Sequence, residues 1–226
     1  MSQAADKQNY YADNKSLKEE NEALKQQIAE MEATVRQGEA ASRENAFLRD
    51  LLDLRQQRRD LSDFETATVT ERSVTNWTSS LTLDKGSAHG VEVGDCVIDG
   101  AGALVGRVSR VGYNWSTVLT VVDTDTSLGA RVYRTQDIGI AAGDFALMGD
   151  GLLKLDSLPA SAQLLEGDLV VTSGFGGYIP PDLVIGSVTE LRAEDSDTTV
   201  YAVLTPAADL ASLTEVCIIK SFEVVN

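Results

Sequence analysis

The 226-residue chain is long enough for one large or two small domains, and 43% apolar residues suffice for a core. It carries 35 Asp and Glu against 19 Lys and Arg, a formal charge of −16; such a surface repels nucleic acid and anionic headgroups, which are held by clustered basic side chains. No apolar run approaches the ~20 residues of a membrane helix, and the opening stretch is polar throughout, unlike a signal peptide.

The pattern changes near residue 64. Residues 1–63 hold one glycine, Gly38, and no proline; residues 64–226 hold the other 17 glycines and all four prolines. The first segment has 10 basic and 13 acidic residues and the second 9 and 22, so most of the negative charge lies in the second. Leu17, Asn21, Leu24, Ile28, Met31 and Val35 recur at alternating steps of four and three, the seam of a coiled coil, with charged flanks. An Asn on such a seam costs stability and fixes register. The pattern weakens at Gly38 and Ser42 and resumes out of phase at Leu48, Leu51 and Leu52, which predicts a stammer or local opening near Gly38–Asn45. The Gln56–Asp60 run ends the helix. From Leu17 to Leu61 it measures about 65 Å. Its apolar stripe can be buried in two ways: by dimerisation through the seam, or by folding back on the rest of the chain.

From Phe64 the period becomes two. Residues 66–70, 80–83, 105–111, 117–122 and 199–204 read as short strands punctuated by Gly, Asp and Asn, which predicts a sandwich or barrel. Two stretches echo each other. Gly94-Asp95-Cys96-Val97 is followed by Val105-Gly106-Arg107-Val108, and Gly167-Asp168-Leu169-Val170 by Ile185-Gly186-Ser187-Val188. Gly-Asp suits a tight turn, and the later glycine a bulge or barrel corner. The second copy is longer by seven residues. The expected organisation is a coiled-coil helix over 1–63 and a mainly β body over 64–226, built as two small related barrel-like subdomains with an intertwined boundary roughly near 125–160.

Chemistry-bearing patterns are few. His89 is the only histidine, so any Ser–His–Asp site must use it, and Ser173 in Thr172–Gly177 lacks the strand–elbow–helix setting of a nucleophile. Asp123-Thr124-Asp125 starts like a calcium loop but meets Leu128 where the turn glycine belongs and Arg134 where the bidentate Glu belongs; a solvated turn is expected there, and a hairpin tip at Glu194–Asp197. Cys96 and Cys217 lie in apolar runs and read as buried thiols. Two cysteines and one histidine do not build a zinc site. No catalytic, cofactor or metal residue is assigned.

The ordered motifs resemble the rod shape-determining MreC family: Glu44–Leu54 at the end of the coil, Trp77, Leu83–Ser87, Gly90–Asp95, Gly102–Val108, Val121–Asp123, Gly167–Gly174, Tyr178–Pro180, Ile185–Val188 and Pro206–Leu210, over roughly residues 44–220. The resemblance implies a single-pass membrane protein whose coil and two β barrels lie outside the cytoplasm, with this chain beginning just after the membrane helix. It implies a scaffold of lateral wall synthesis and cell shape, with MreD, the actin-like MreB, a class B penicillin-binding transpeptidase and its glycosyltransferase as partners, and with self-association. Leu17, Asn21, Leu24, Ile28, Met31 and Val35 are the expected homodimer contacts. Trp77, Trp115, Phe175 and Tyr178 are candidate partner contacts, since aromatics anchor interfaces. The alternative is a periplasmic adaptor of an efflux or secretion assembly, which requires two antiparallel coil helices within the β region.

Overall fold

The computed structural model describes residues 2–75, 78–159, 162–193 and 200–222; the expected hairpin tip at Glu194–Asp197 lies outside them. Helix α1 spans Ser2–Gln57, about 84 Å at 1.5 Å per residue. It runs through Gly38–Asn45 without the expected opening. A glycine in an exposed helix costs about 1 kcal/mol relative to alanine, and the strong helix formers around Gly38 (Arg36, Gln37, Glu39, Ala40, Ala41) offset it. The helix closes with Arg58 N donating to Leu54 O at 2.7 Å. Residues up to Ala46 form one compact unit and those from Phe47 onward another, so the last turns of α1 belong with the β body.

The second unit contains two closed six-stranded barrels. Barrel 1 comprises β1 (Leu61–Val74), β2 (Ser79–Leu83), β3 (Cys96–Ile98), β4 (Leu104–Val111), β5 (Ser116–Thr120) and β12 (Glu215–Phe222), in the spatial order β1-β12-β3-β4-β5-β2. Barrel 2 comprises β6 (Ser127–Val132), β7 (Ile138–Gly143), β8 (Leu153–Asp156), β9 (Leu169–Thr172), β10 (Val184–Ala193) and β11 (Val200–Pro206), in the order β10-β11-β8-β7-β6-β9. Barrel 2 is thus inserted between β5 and β12, and the first barrel is completed by the last strand in chain order. Alternation along the strands fills the interiors: Leu81, Leu83, Val97, Val105, Val118 and Ile218 in barrel 1, and Val132, Leu153, Leu155, Val170, Ile185 and Leu204 in barrel 2, all 1% exposed or less.

The two echoing stretches occupy the same place in the two barrels. Gly94 N donates to Val108 O and Val108 N to Asp95 O; Gly167 N donates to Val188 O and Val188 N to Asp168 O, all at 2.8–2.9 Å. Gly94 and Gly167 both have positive φ, 105° and 87°, where a Cβ is strained. Gly106 and Gly186 play another part. They pair with Thr120 and Pro206, and a Cβ on either would stand 2.0 or 2.1 Å from the carbonyl oxygen of Leu119 or Thr205. The same bulges follow, after Val108 and after Val188. Extending the registers matches β3, β4, β5, β2, β1 and β12 with β9, β10, β11, β8, β7 and β6. The strand that opens barrel 2, β6, therefore corresponds to the one that closes barrel 1, β12.

Candidate interaction surfaces

The base of α1 is seated on barrel 1. Cys96, Ile98, Cys217 and Ile219 point outward from β3 and β12, yet all are 2% exposed or less. Their cluster includes Leu51, with Phe47, Leu54 and Phe64 packed against it. Glycines in the β3–β4 turn admit the helix: a Cβ on Gly100 would meet the Phe47 ring at 2.9 Å, and one on Gly102 would meet Leu54 at the same distance. Arg55 lies 5.8 Å above the Phe64 ring. Both cysteines are free, and burial pushes their thiols up to about 12. A thiol so held stays protonated at neutral pH, the reverse of what a nucleophile needs.

Immediately after the helix, Arg58 ties the seat to barrel 2. Its Nη2 donates to Asp60 Oδ2 at 2.7 Å and to Pro181 O at 2.8 Å, and its Nη1 donates to Asp182 O at 3.1 Å. This guanidinium holds the Asp60 carboxyl below its ordinary range. Pro181 and Asp182 close the long β9–β10 loop, the stretch with seven extra residues. Thr172, fully buried, braces that loop by donating to Pro180 O at 2.6 Å and accepting from Leu183 N at 2.9 Å. At its tip Phe175 and Tyr178 are 69% and 78% exposed.

Trp115 is 43% exposed in the β4–β5 turn of barrel 1, with its indole lying over Gly112. Trp77 lies outside the described residues. The structure brings Phe175 and Tyr178 together on one loop and leaves Trp115 on the other barrel. On α1, Leu24, Ile28, Met31 and Val35 are 50–60% exposed, and Asn21 is exposed as well. The Leu17 side chain lies outside the described residues.

His89 sits in a single 3-10 turn, Ser87–His89, of barrel 1, and its buried Nδ1 has no hydrogen-bond partner among the described residues. Ser173 belongs to barrel 2, where its Oγ accepts from Phe175 N at 3.3 Å. Asp123 is not the solvated turn residue expected: it is 1% exposed, with Oδ2 accepting from Ser79 N at 2.7 Å and Oδ1 from Asp125 N at 2.9 Å. A pre-strand carboxylate whose oxygens are taken by backbone N–H groups is architecture. A 540 Å³ cleft between the barrels is lined by Leu81, Val122, Met148, Pro206 and Leu210. The Arg72 at its edge is spent on the Ala211 and Leu213 carbonyls.

Further exposed apolar residues escaped the sequence reading: Tyr133 (60%), Ile138 (44%), Ile140 (41%), Leu165 (59%) and Leu169 (39%), all on barrel 2. The signal was the alternation Ile138-Gly139-Ile140-Ala141. It marks a strand, but Gly139 and Ala141 face inward and the isoleucines outward.

A family model described as rod shape-determining protein MreC, barrel core, matches residues 69–220. The cell shape-determining protein MreC of Listeria monocytogenes is 32% identical over 181 residues, covering 79% of this chain and 60% of that protein. The chain therefore spans about three fifths of the length of that relative. A solved MreC structure superposes with a TM-score of 0.70 at 27% identity, over 80% of this chain and 99% of the other. Helicobacter pylori MreC, solved as a complex with the penicillin-binding protein PBP2, has a TM-score of 0.54 at 19% identity over 70% of this chain and 99% of its own, a likeness of fold.

Proposed function

This chain belongs to the MreC family of rod shape-determining proteins, and from that premise we propose that it is a non-enzymatic scaffold of the cell-elongation machinery. It couples the membrane and cytoskeletal shape proteins, MreD and actin-like MreB, to a class B transpeptidase and its glycosyltransferase. In the full-length protein a single membrane helix anchors it, and the region described here lies outside the cytoplasm. The complex of Helicobacter pylori MreC with PBP2 supports a transpeptidase partner. Phe175 and Tyr178, held out on a loop with a hydrogen-bonded stem, are the proposed partner contacts on barrel 2, with Trp115 on barrel 1; Trp77 is proposed from the sequence.

One observation carries the assembly part of this reading: Leu24, Ile28, Met31 and Val35 form a heptad stripe that is half or more exposed. Apolar seams of this kind are buried by a second helix, so the chain is a homodimer through residues Leu17 to Val35, with Asn21 setting register. Light scattering over a range of concentrations tests it. The full chain is expected at twice its monomer mass, and Ile28→Glu with Met31→Glu at monomer mass. A wild-type chain that stays monomeric throughout overturns coil-mediated dimerisation.

A further inference from the structure

The internal duplication allows the outer walls of the two barrels to be compared place by place. On barrel 1, Cys96 pairs with Ile219 and Ile98 with Cys217, and this wall is the seat of the α1 base. On barrel 2 the same places belong to Leu169 and Tyr133, whose backbones are bonded (Tyr133 N to Leu169 O, 2.8 Å), and to Val171 and Arg131. The seat on barrel 1 is covered. Its counterpart leaves Tyr133 and Leu169 open to solvent.

The next strand sharpens the contrast. In β1 the outward residues beside the seat are Thr66 and Thr68, exposed and polar. In β7 the same places hold Ile138 and Ile140, opposite Arg131 and Gly129. At the corner before β9, Leu165 stands where barrel 1 has Glu92; both backbone N–H groups donate to the aspartate of the Gly-Asp turn, at 2.9 and 2.8 Å. Thus Ile140, Ile138, Tyr133, Leu169 and Leu165 make an apolar band across three adjacent strands. Bands of that kind mark interaction sites.

We propose that this wall of barrel 2, over β7, β6 and β9, is a docking site for an amphipathic helix of another protein. That helix presents apolar residues spaced as Phe47, Leu51 and Leu54 are, with Lys or Arg beside them. The shape follows from the molecule itself, which already lays such a helix on the equivalent wall; apolar anchors at i, i+4 and i+7 are how helices fill grooves. The basic flanks follow from charge. Residues 64–226 hold 22 acidic against 9 basic side chains, and the two arginines of this wall are already neutralised, Arg131 by Asp182 and Arg134 by Asp168. An incoming helix therefore meets a negative field, which favours basic neighbours. The inference rests on the scaffold reading only in requiring a partner, and makes no use of the coil seam.

The probe is a synthetic, lactam-stapled peptide of this chain's own residues 44–59, which carries four arginines and three acidic residues, labelled and titrated with the 226-residue chain by fluorescence anisotropy. Saturable binding is expected, weakened about tenfold or more by Ile140→Asp and unchanged by Thr68→Asp at the matching place on barrel 1. Failure to saturate at millimolar chain, or equal binding by Ile140→Asp with an unchanged melt, overturns the proposal. So does peptide-induced reactivity of Cys96 and Cys217, which means that the peptide displaced the native helix base instead. Light scattering without peptide separates the remaining occupant: if Ile140→Asp alone halves the mass, the wall joins two copies and the partner-helix proposal falls. The seam variants Ile28→Glu and Met31→Glu report on dimerisation independently.

Discussion

The two barrels share a hydrogen-bonding frame residue by residue, and they differ in what lies on it. Both have a positive-φ glycine, an aspartate turn, a glycine under a neighbouring carbonyl and a bulge two residues later. On barrel 1 the turn after β3 is short and glycine-lined, and a helix rests there. On barrel 2 the equivalent turn is longer by seven residues, bears two exposed aromatics and is gripped by Arg58. The frame is what closing a small barrel demands; the walls and loops are where the two barrels diverge.

If the frame is common, the same substitution must hurt both barrels alike. Gly106→Ala and Gly186→Ala each force a Cβ against a backbone carbonyl that cannot rotate away, at 2.0 and 2.1 Å. Each is expected to cost about 3 kcal/mol or more, read by urea denaturation. A large loss in one and none in the other breaks the equivalence of the corners.

The walls should respond oppositely. Leu51→Ala empties the covered seat, where Leu51 is 7% exposed, and is expected to cost about 2–3 kcal/mol. Ile140→Ala on the open wall should change stability by less than about 0.5 kcal/mol. Equal losses in thermal melts mean that the second wall is covered in solution too.

The paired aspartates give a subtler test. Hydrogen bonding from Arg134 holds Asp168 below the ordinary carboxylate range, while burial raises Asp95. Asp168 therefore stabilises above the unfolded value of ~3.9 and loses that contribution as pH falls through its lower folded value. Asp95 does the reverse: protonation favours the folded state, so its contribution is fully present below the unfolded value and is lost as pH rises through its raised folded value. Asp168→Asn is expected to lose about 1–2 kcal/mol at pH 7. Asp95→Asn should stay within about 0.5 kcal/mol and flatten the stability profile just above the ordinary carboxylate range. Parallel denaturation series across pH decide whether one motif carries two opposite titrations.

Much of this architecture is legible in the chain. The scarcity of glycine places the helix, and the repeated Gly-Asp and Gly-x-Val stretches locate both corners. What is missing is long-range. The apolar run around Cys217 is visible in the sequence, but nothing in it says that β12 closes the first barrel, because pairing partners leave no local signature. Alternation likewise separates two faces without naming the core: in Ile138-Gly139-Ile140-Ala141 the small Gly139 and Ala141 face inward and the isoleucines outward. Asp123 reads as solvated because acidic turn residues usually are, whereas its neighbours' N–H groups enclose it. The break anticipated at Gly38 is absent because the residues around it hold the helix without tertiary help.

The placement of β12 also sets an order of assembly. As the chain emerges, β6 to β11 are all present and can close the second barrel while the first still lacks a strand between β1 and β3. Contacts between β1 and β12 span about 150 residues of sequence, and such non-local closures are slow. The wall that receives Phe47, Leu51 and Leu54 is half β3 and half β12, so it does not exist until the final strand arrives. The earliest-made element of this body must therefore wait for the latest-made one, and a nascent chain stalled before Glu215 would hold one finished barrel and an unseated helix base.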